Sequence, residues 1–215
     1  KQLRDAATRH GVMLNDLLMA EMFQTLRAWN QEHQGARRRA LRIMMPSDMR
    51  DVVDYSMPAA NMTSYNFVHR KQKDCDRPEE LLRGIREETQ LIKHDQRGRY
   101  FVEAVMATDY VPGLLKFITS DRRCLATVTL SNMGDPTRRF AATFPRREGK
   151  LVCGNLVLQN MVGVSPLRPL TRAAVSIVTF CRKLQINVRC DGHVMGVPES
   201  RAFLRAYVGR LEQHL

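Results

Sequence analysis

The sequence contains no apolar run of about 18 residues, which excludes an ordinary transmembrane helix. It shows no basic segment, apolar stretch and small-residue cleavage site in succession, so no signal peptide is read. None of its five cysteines (Cys75, Cys124, Cys153, Cys181 and Cys190) stands in a CxxC or Cys/His spacing, which leaves out the common zinc modules and any metal site of that kind. An odd count without close pairs predicts reduced thiols, mostly small core residues, in a cytoplasmic setting. Repeats, low-complexity stretches and internal linkers are also missing. So is a basic stripe interleaved with aromatics of the kind that stacks bases, which speaks against nucleic acid as a partner.

What is present is a chain of 215 residues, enough to bury a substantial core in one large domain or two small ones. Its 34 Lys and Arg outnumber 22 Asp and Glu, for a net charge of +12. That balance favours anionic partners: coenzyme A phosphates, an acidic carrier protein, a membrane surface or nucleic acid. The cations are dispersed, with short clusters at Arg37–Arg39, Arg122–Arg123, Arg138–Arg139 and Arg146–Arg147.

Apolar residues at three- and four-residue spacing (Leu14, Leu17, Leu18, Met22, Leu26, Trp29) predict a helix over 12–29. A loop through 31–39 leads to a strand at 40–46 ended by Pro46, and another loop at 47–62 precedes a short strand at 64–69. Pro78 opens a helix with Glu79 and Glu80 in its first turn and Leu81, Leu82, Ile85, Leu91 and Ile92 buried. A further helix is expected near 100–118, perturbed by Pro112 and Gly113. From 123 the period becomes two, with strands near 123–131, 138–145, 151–160, 173–180 and 183–190. Pro198 opens a last helix with Phe203, Tyr207 and Leu211 on one face. The pattern is that of an α+β or mixed α/β layered domain, in which helices flank a mixed sheet.

Four stretches could carry chemistry. Asn15 and Asp16 precede an apolar helical run, where they can cap its first turn. Asp48, Arg50 and Asp51 follow a strand, where they can form a local ion pair or shape a site, with Asn61 beyond. Ser131, Asn132, Met133 and Gly134 end a β-rich run. Alternation places Val128, Leu130 and Asn132 on one face of that strand and Thr127, Thr129 and Ser131 on the other. Three hydroxyls in line are costly to bury dry, so they mark either a wet tunnel wall or a set of backbone caps. The fourth stretch is Asp191-Gly192-His193, which precedes the final helix.

In order and spacing these stretches resemble the superfamily of coenzyme A-dependent acyltransferases. That superfamily includes chloramphenicol acetyltransferase, peptide-synthetase condensation domains, alcohol acetyltransferases and wax ester synthase/diacylglycerol acyltransferases. Residues 11–20, through Asn15 and Asp16, are similar to the "gvTvNDvllA" that opens the second lobe of two-lobe members. Residues 43–50 are similar to "vPvdlR", Asn61 to the asparagine of the following "GN", and residues 129–134 to "vSNvG". Asp191 followed by Phe203 and Leu204 is similar to the ending "yD…FL…L". The resemblance spans residues 1–215.

The family's catalytic motif, HHxxxDG, supplies the general base. This chain lacks it. Its histidines are His10, His33, His69, His94, His193 and His214, and none is doubled. Single-lobe members instead carry D-H-R-x-x-D-G near the C-terminus. Here His193 is one place late and the Asp-Gly partner is gone, so no catalytic residue is assigned in this lobe.

The resemblance therefore implies a chloramphenicol acetyltransferase-like C-terminal lobe, one piece of a larger two-lobe protein whose N-terminal lobe supplies the base. The parent would move an acyl group from an acyl-CoA or an acyl carrier protein thioester, with no permanently bound cofactor, to an acceptor nucleophile. Ser131, Asn132 and Gly134 would line the substrate tunnel. Asn15, Asp16, Asp48, Arg50, Asn61 and Asp191 would position the lobe. The competing reading is a non-catalytic protein of the same shape that holds an anionic partner through basic patches.

Overall fold

Five strands form the main sheet of the protein. The structure, a computed structural model, describes residues 1–33, 40–50, 61–136 and 144–215. Two helices come first, α1 (Gln2–Arg9) and α2 (Leu14–Glu32). Strands β1 (Ala40–Asp48) and β2 (Thr63–Lys71) form an antiparallel pair. Helices α3 (Pro78–His94), α4 (Gly98–Ala107) and the single turn α5 (Leu114–Ile118) lead to β3 (Val128–Asn132). A small three-stranded unit follows, β4 (Arg146–Arg147), β5 (Lys150–Cys153) and β6 (Leu156–Val157). Strands β7 (Ala173–Phe180) and β8 (Lys183–Cys190) and helix α6 (Val197–Glu212) complete the chain.

The sheet order is β2-β1-β3-β7-β8. The three central strands run parallel, and the outer two run antiparallel to their neighbours. Period two gives the sheet two unlike faces. One face carries Leu41, Ile43, Val68, Val128, Leu130, Val175 and Ile177, all buried in a single cluster with α2, α3 and α6. The other face carries Met44, Thr129, Ser131, Ala174, Ser176 and Asn187.

Helix α2 is the hub. Ten of its residues are buried, more than the expected stripe, because α1, α3 and α6 all pack on it. Tyr207 of α6 donates its hydroxyl to the Leu18 carbonyl at 3.0 Å, which satisfies the one polar atom of a fully buried ring. As expected, Phe203, Tyr207 and Leu211 form the inward face of α6.

Several expectations need correction. Strand β1 does not stop at Pro46 but continues to Asp48. Its pairing with β3 ends at Met44 while β2 accompanies it to the end, so the missing proline N–H falls on the side where the central ladder has already stopped. Leu91 is exposed, because Leu81, Ile85, Thr89 and Ile92 define the buried face of α3 and Leu91 lies off it. The expected helix at 100–118 is two pieces around a short 3-10 turn, broken where Gly113 takes φ +80°. The strand expected at 123–131 starts only at Val128. The one expected at 151–160 is two short strands of a hairpin turning at Gly154, φ +60°. The strand at 138–145 falls mostly outside the described residues, as do Arg37–Arg39, Asp51, Arg138 and Arg139. Only Cys75 among the cysteines is fully buried, while Cys153 is exposed. Helix α1 went unread, being short and polar on its outer side.

Candidate functional site

The carboxyl ends of the parallel strands gather most of the sequence-derived candidates. In sheets of this kind, that edge is where ligands find a crevice between strand ends and following loops. Strand β1 delivers Ser47 and Asp48 there, and Met49 and Arg50 follow. The Met49 N–H donates to the Met62 carbonyl at 2.9 Å, which brings Asn61 alongside. Asp48 accepts the Arg50 backbone N–H at 3.1 Å and its guanidinium at 3.3 Å, so the expected local ion pair is formed. Asn61 turns its own loop, accepting the Thr63 N–H at 3.2 Å.

Strand β3 ends at the same edge. Asn132 accepts the Gly134 N–H at 3.1 Å, an Asx turn that reverses the chain. Gly134 sits at φ +63°, and its carbonyl accepts the Thr179 N–H at 2.6 Å. A side chain there would strain the backbone, which explains the glycine. Asn132 is thus occupied by its own turn. Ser131 is half-buried and faces the polar side of the sheet. The three hydroxyls in line diverge in role: Thr127 accepts the Arg42 backbone N–H at 3.1 Å, Thr129 is buried, and Ser131 is half-buried at the strand end.

Register places Ser131 beside Ser176 of β7, and Ser176 beside Asn187 of β8. This polar row crosses three strands. Ser165, on the extended segment above it, shares a hydroxyl contact with Ser176 at 2.8 Å and donates its N–H to the same oxygen at 2.8 Å. The buried Asn187 Nδ2 has no hydrogen-bond partner among the described residues. Sequence reading missed Ser176 and Asn187 because register sets their proximity to Ser131, and Ser165 because only the packing of its segment brings it to Ser176. Ser176 did leave a trace, a lone small polar residue inside the apolar strand Ala-Ala-Val-Ser-Ile-Val.

A recess of about 210 Å³ opens beside this edge, lined by Ser47, Asp48, Arg50, Lys93, Gln96 and Arg99. Among the described residues that line it, three cations accompany one carboxylate. A second recess of about 380 Å³ shares Met49 and Arg99 with it and adds Asn61, Thr63 and Val102. The edge therefore offers hydroxyls, amides and positive charge, a setting that holds a polarised oxygen or an anionic group.

Asn15 and Asp16 support this edge from beneath. Helix α2 has Met13 as its N-cap, so Asn15 and Asp16 lie within the first turn and Asp16 caps it from the third helical position. Its carboxylate accepts the Met13 N–H at 2.9 Å and the Thr89 hydroxyl of α3 at 2.7 Å while only 1% exposed. Asn15 directs its Nδ2 to the Met45 sulfur of β1 at 3.2 Å.

Asp191 is elsewhere. Cys190 pairs with Ala173 at the start of β7, so Asp191 lies about 13 Å along the strands from the Ser131 level. There it accepts the His193 N–H at 3.1 Å and lies 3.9 Å from the Arg172 guanidinium, which holds the turn into α6. His193 is exposed at that far end. No group of three or more potential metal-ligating side chains is present among the described residues.

No family model and no curated protein matches the sequence. Solved structures do. The epimerization domain from the third module of tyrocidine synthetase B is 14% identical with a TM-score of 0.61, over 99% of this chain and 44% of its own. The wax ester synthase/diacylglycerol acyltransferase from Marinobacter aquaeolei VT8 is also 14% identical with a TM-score of 0.61, over 100% of this chain and 46% of its own. The first condensation domain of the CDA synthetase is 12% identical with a TM-score of 0.58, over 99% and 42%. The chain spans less than half the length of these structures. It carries the α+β fold that condensation domains, an epimerization domain and a wax ester synthase share.

Proposed function

We propose that this chain forms the C-terminal lobe of a two-lobe acyltransferase or condensation-type enzyme. Its carboxyl-end edge forms one wall of the tunnel in which an acyl-CoA or carrier-bound acyl thioester meets an acceptor nucleophile. The observation that carries this reading is the convergence of Asp48, Arg50, Asn61, Ser131 and Gly134 on one edge of a sheet with the acyltransferase fold. The apolar side chains of Met133, Leu156, Val162 and Val164 stand exposed in the residues following that edge, as a wall awaiting its opposite half would leave them. In this scheme the base comes from the other lobe. The Ser131 hydroxyl donates to the thioester oxygen as charge develops on it, and Arg50, fixed by Asp48, braces the wall.

In the full-length protein, Ser131→Ala should lower the acyl-transfer rate about 10-fold or more without loss of stability. The isolated chain, offered a panel of acyl-CoA donors with thiol release followed, should show no turnover. Turnover by the chain alone that vanished in His193→Ala would overturn the two-lobe reading, and an unchanged rate in folded Ser131→Ala would remove Ser131 from the tunnel.

A further inference from the structure

Nine of the 20 exposed large apolar side chains among the described residues fall between positions 100 and 118. They include Tyr100 at 59% exposure, Met106 at 64%, Tyr110 at 88% and Phe117 at 58%. From Arg99 to Thr119 only Phe101, Thr108 and Leu114 are withdrawn from solvent. Phe101 pins the segment to the β2 edge, its ring 5.5 Å from Tyr65 and 6.2 Å from Phe67. The rest of α4, the 3-10 turn and α5 thus present an apolar surface that nothing in the described chain covers.

Cations stand at the α5 end of this surface. The Arg123 guanidinium lies 3.6 Å above the Phe117 ring, and Lys116 and Arg122 line the same recess. Arg168 adds a fourth, donating to the Thr119 carbonyl at 2.7 Å. Glu103, Asp109 and Asp121 lie on the segment too, so the local excess of positive charge is modest and the net charge of +12 supplies the long-range pull. We propose that the 98–123 segment is an interfacial anchor that lays Tyr110, Phe117 and their neighbours into the headgroup region of an anionic lipid surface.

Aromatic and long aliphatic side chains flanked by Lys and Arg on short helices are the composition that sits in a membrane interface. No described helix is long and apolar enough to cross the bilayer, so the segment lies on the surface. Nucleic acid would match the charge but leave the apolar face wet. A second copy of the chain meeting through the same face would set Lys116, Arg122 and Arg123 against their own kind. The opposite half of the proposed enzyme has its own exposed apolar set around Met133 and Val162, so this inference stands independently of that reading.

The test is flotation of the chain with phosphatidylcholine vesicles, with and without phosphatidylglycerol. The chain should bind the anionic vesicles about 10-fold or more tightly than the neutral ones. Tyr110→Ser with Phe117→Ser leaves charge and core untouched and should weaken that binding about 10-fold. Val162→Ser with Val164→Ser should leave it unchanged. Hydrogen exchange over 98–118 should slow on the anionic vesicles. No binding, equal binding to both vesicles, full binding by the Tyr110/Phe117 variant, or loss in the Val162/Val164 variant would each overturn the anchor. So would self-association in sedimentation that the Tyr110/Phe117 variant abolishes.

Discussion

Asp16 shows how a single residue can look like a site and act as a brace. A buried carboxylate is costly unless its oxygens are bonded, and both of its oxygens are, one to the Met13 N–H and one to Thr89. Asp16→Ala leaves the Met13 N–H without its side-chain acceptor and the Thr89 hydroxyl with only the Arg86 carbonyl 3.0 Å away, and should destabilise by about 2 kcal/mol, and Thr89→Val by about 1 kcal/mol. Denaturant midpoints measure this, and a shift under ~0.5 kcal/mol for Asp16→Ala would show that α2 and α3 do not depend on the brace. Tyr207 gives a pH prediction. Burial pushes its phenol pKa well above the usual value, with Glu21 adding to the shift. A raised folded pKa means that stability is intact below the unfolded value of about 10 and falls above it, because only the unfolded chain releases the proton. The advantage of wild type over Tyr207→Phe should therefore shrink by about 1.4 kcal/mol per pH unit above ~10. A constant difference across that range would mean the ring is not shielded from water.

At the scale of elements, the end of β1 and the β4–β5 hairpin make a useful contrast. Both carry arginines in a basic chain. Arg50 is held by Asp48, its side chain only 17% exposed, on the strand end that shapes the recess. Arg147 is exposed on a two-residue strand. Arg50→Ala should cost about 1 kcal/mol or more while Arg147→Ala stays within about 0.5 kcal/mol. Equal midpoints in denaturant would remove the bracing role of the β1 end. The same contrast explains what period alone could read. Strands β7 and β8 fall where alternation put them because each runs unbroken between turns. The 146–157 hairpin did not, because its strands are too short to show a period.

For the molecule as a whole, one buried cluster joins α2, α3, α6 and four strands of the main sheet, so unfolding should be a single event. The sole tryptophan, Trp29, packs edge-on against Phe203 at 5.4 Å and reports on the α2–α6 contact. Its fluorescence midpoint and the far-ultraviolet circular dichroism midpoint should coincide. Phe203→Ala should shift both together by about 3 kcal/mol. Separated midpoints would show that the outlying α4–α5 segment or the small hairpin sheet melts independently of the core.

The sequence by itself determined the two patterns that its chemistry repeats locally. Helical spacing marked α2, α3 and α6, and alternation marked the late strands, because each element must bury one face of its own. The order of motifs around Asn15, Arg50, Ser131 and Asp191 was enough to indicate the fold. Tertiary structure alone decided which of those residues meet. Parallel pairing of β1 with β3 brings Asp48, Arg50 and Asn61 to the edge that holds Ser131 and Gly134. Antiparallel β8 carries Asp191 and His193 to the opposite end. Tertiary structure also set Ser176 and Asn187 in line with Ser131 and laid Ser165 against Ser176, since strand register joins residues tens of positions apart and no local spacing encodes it.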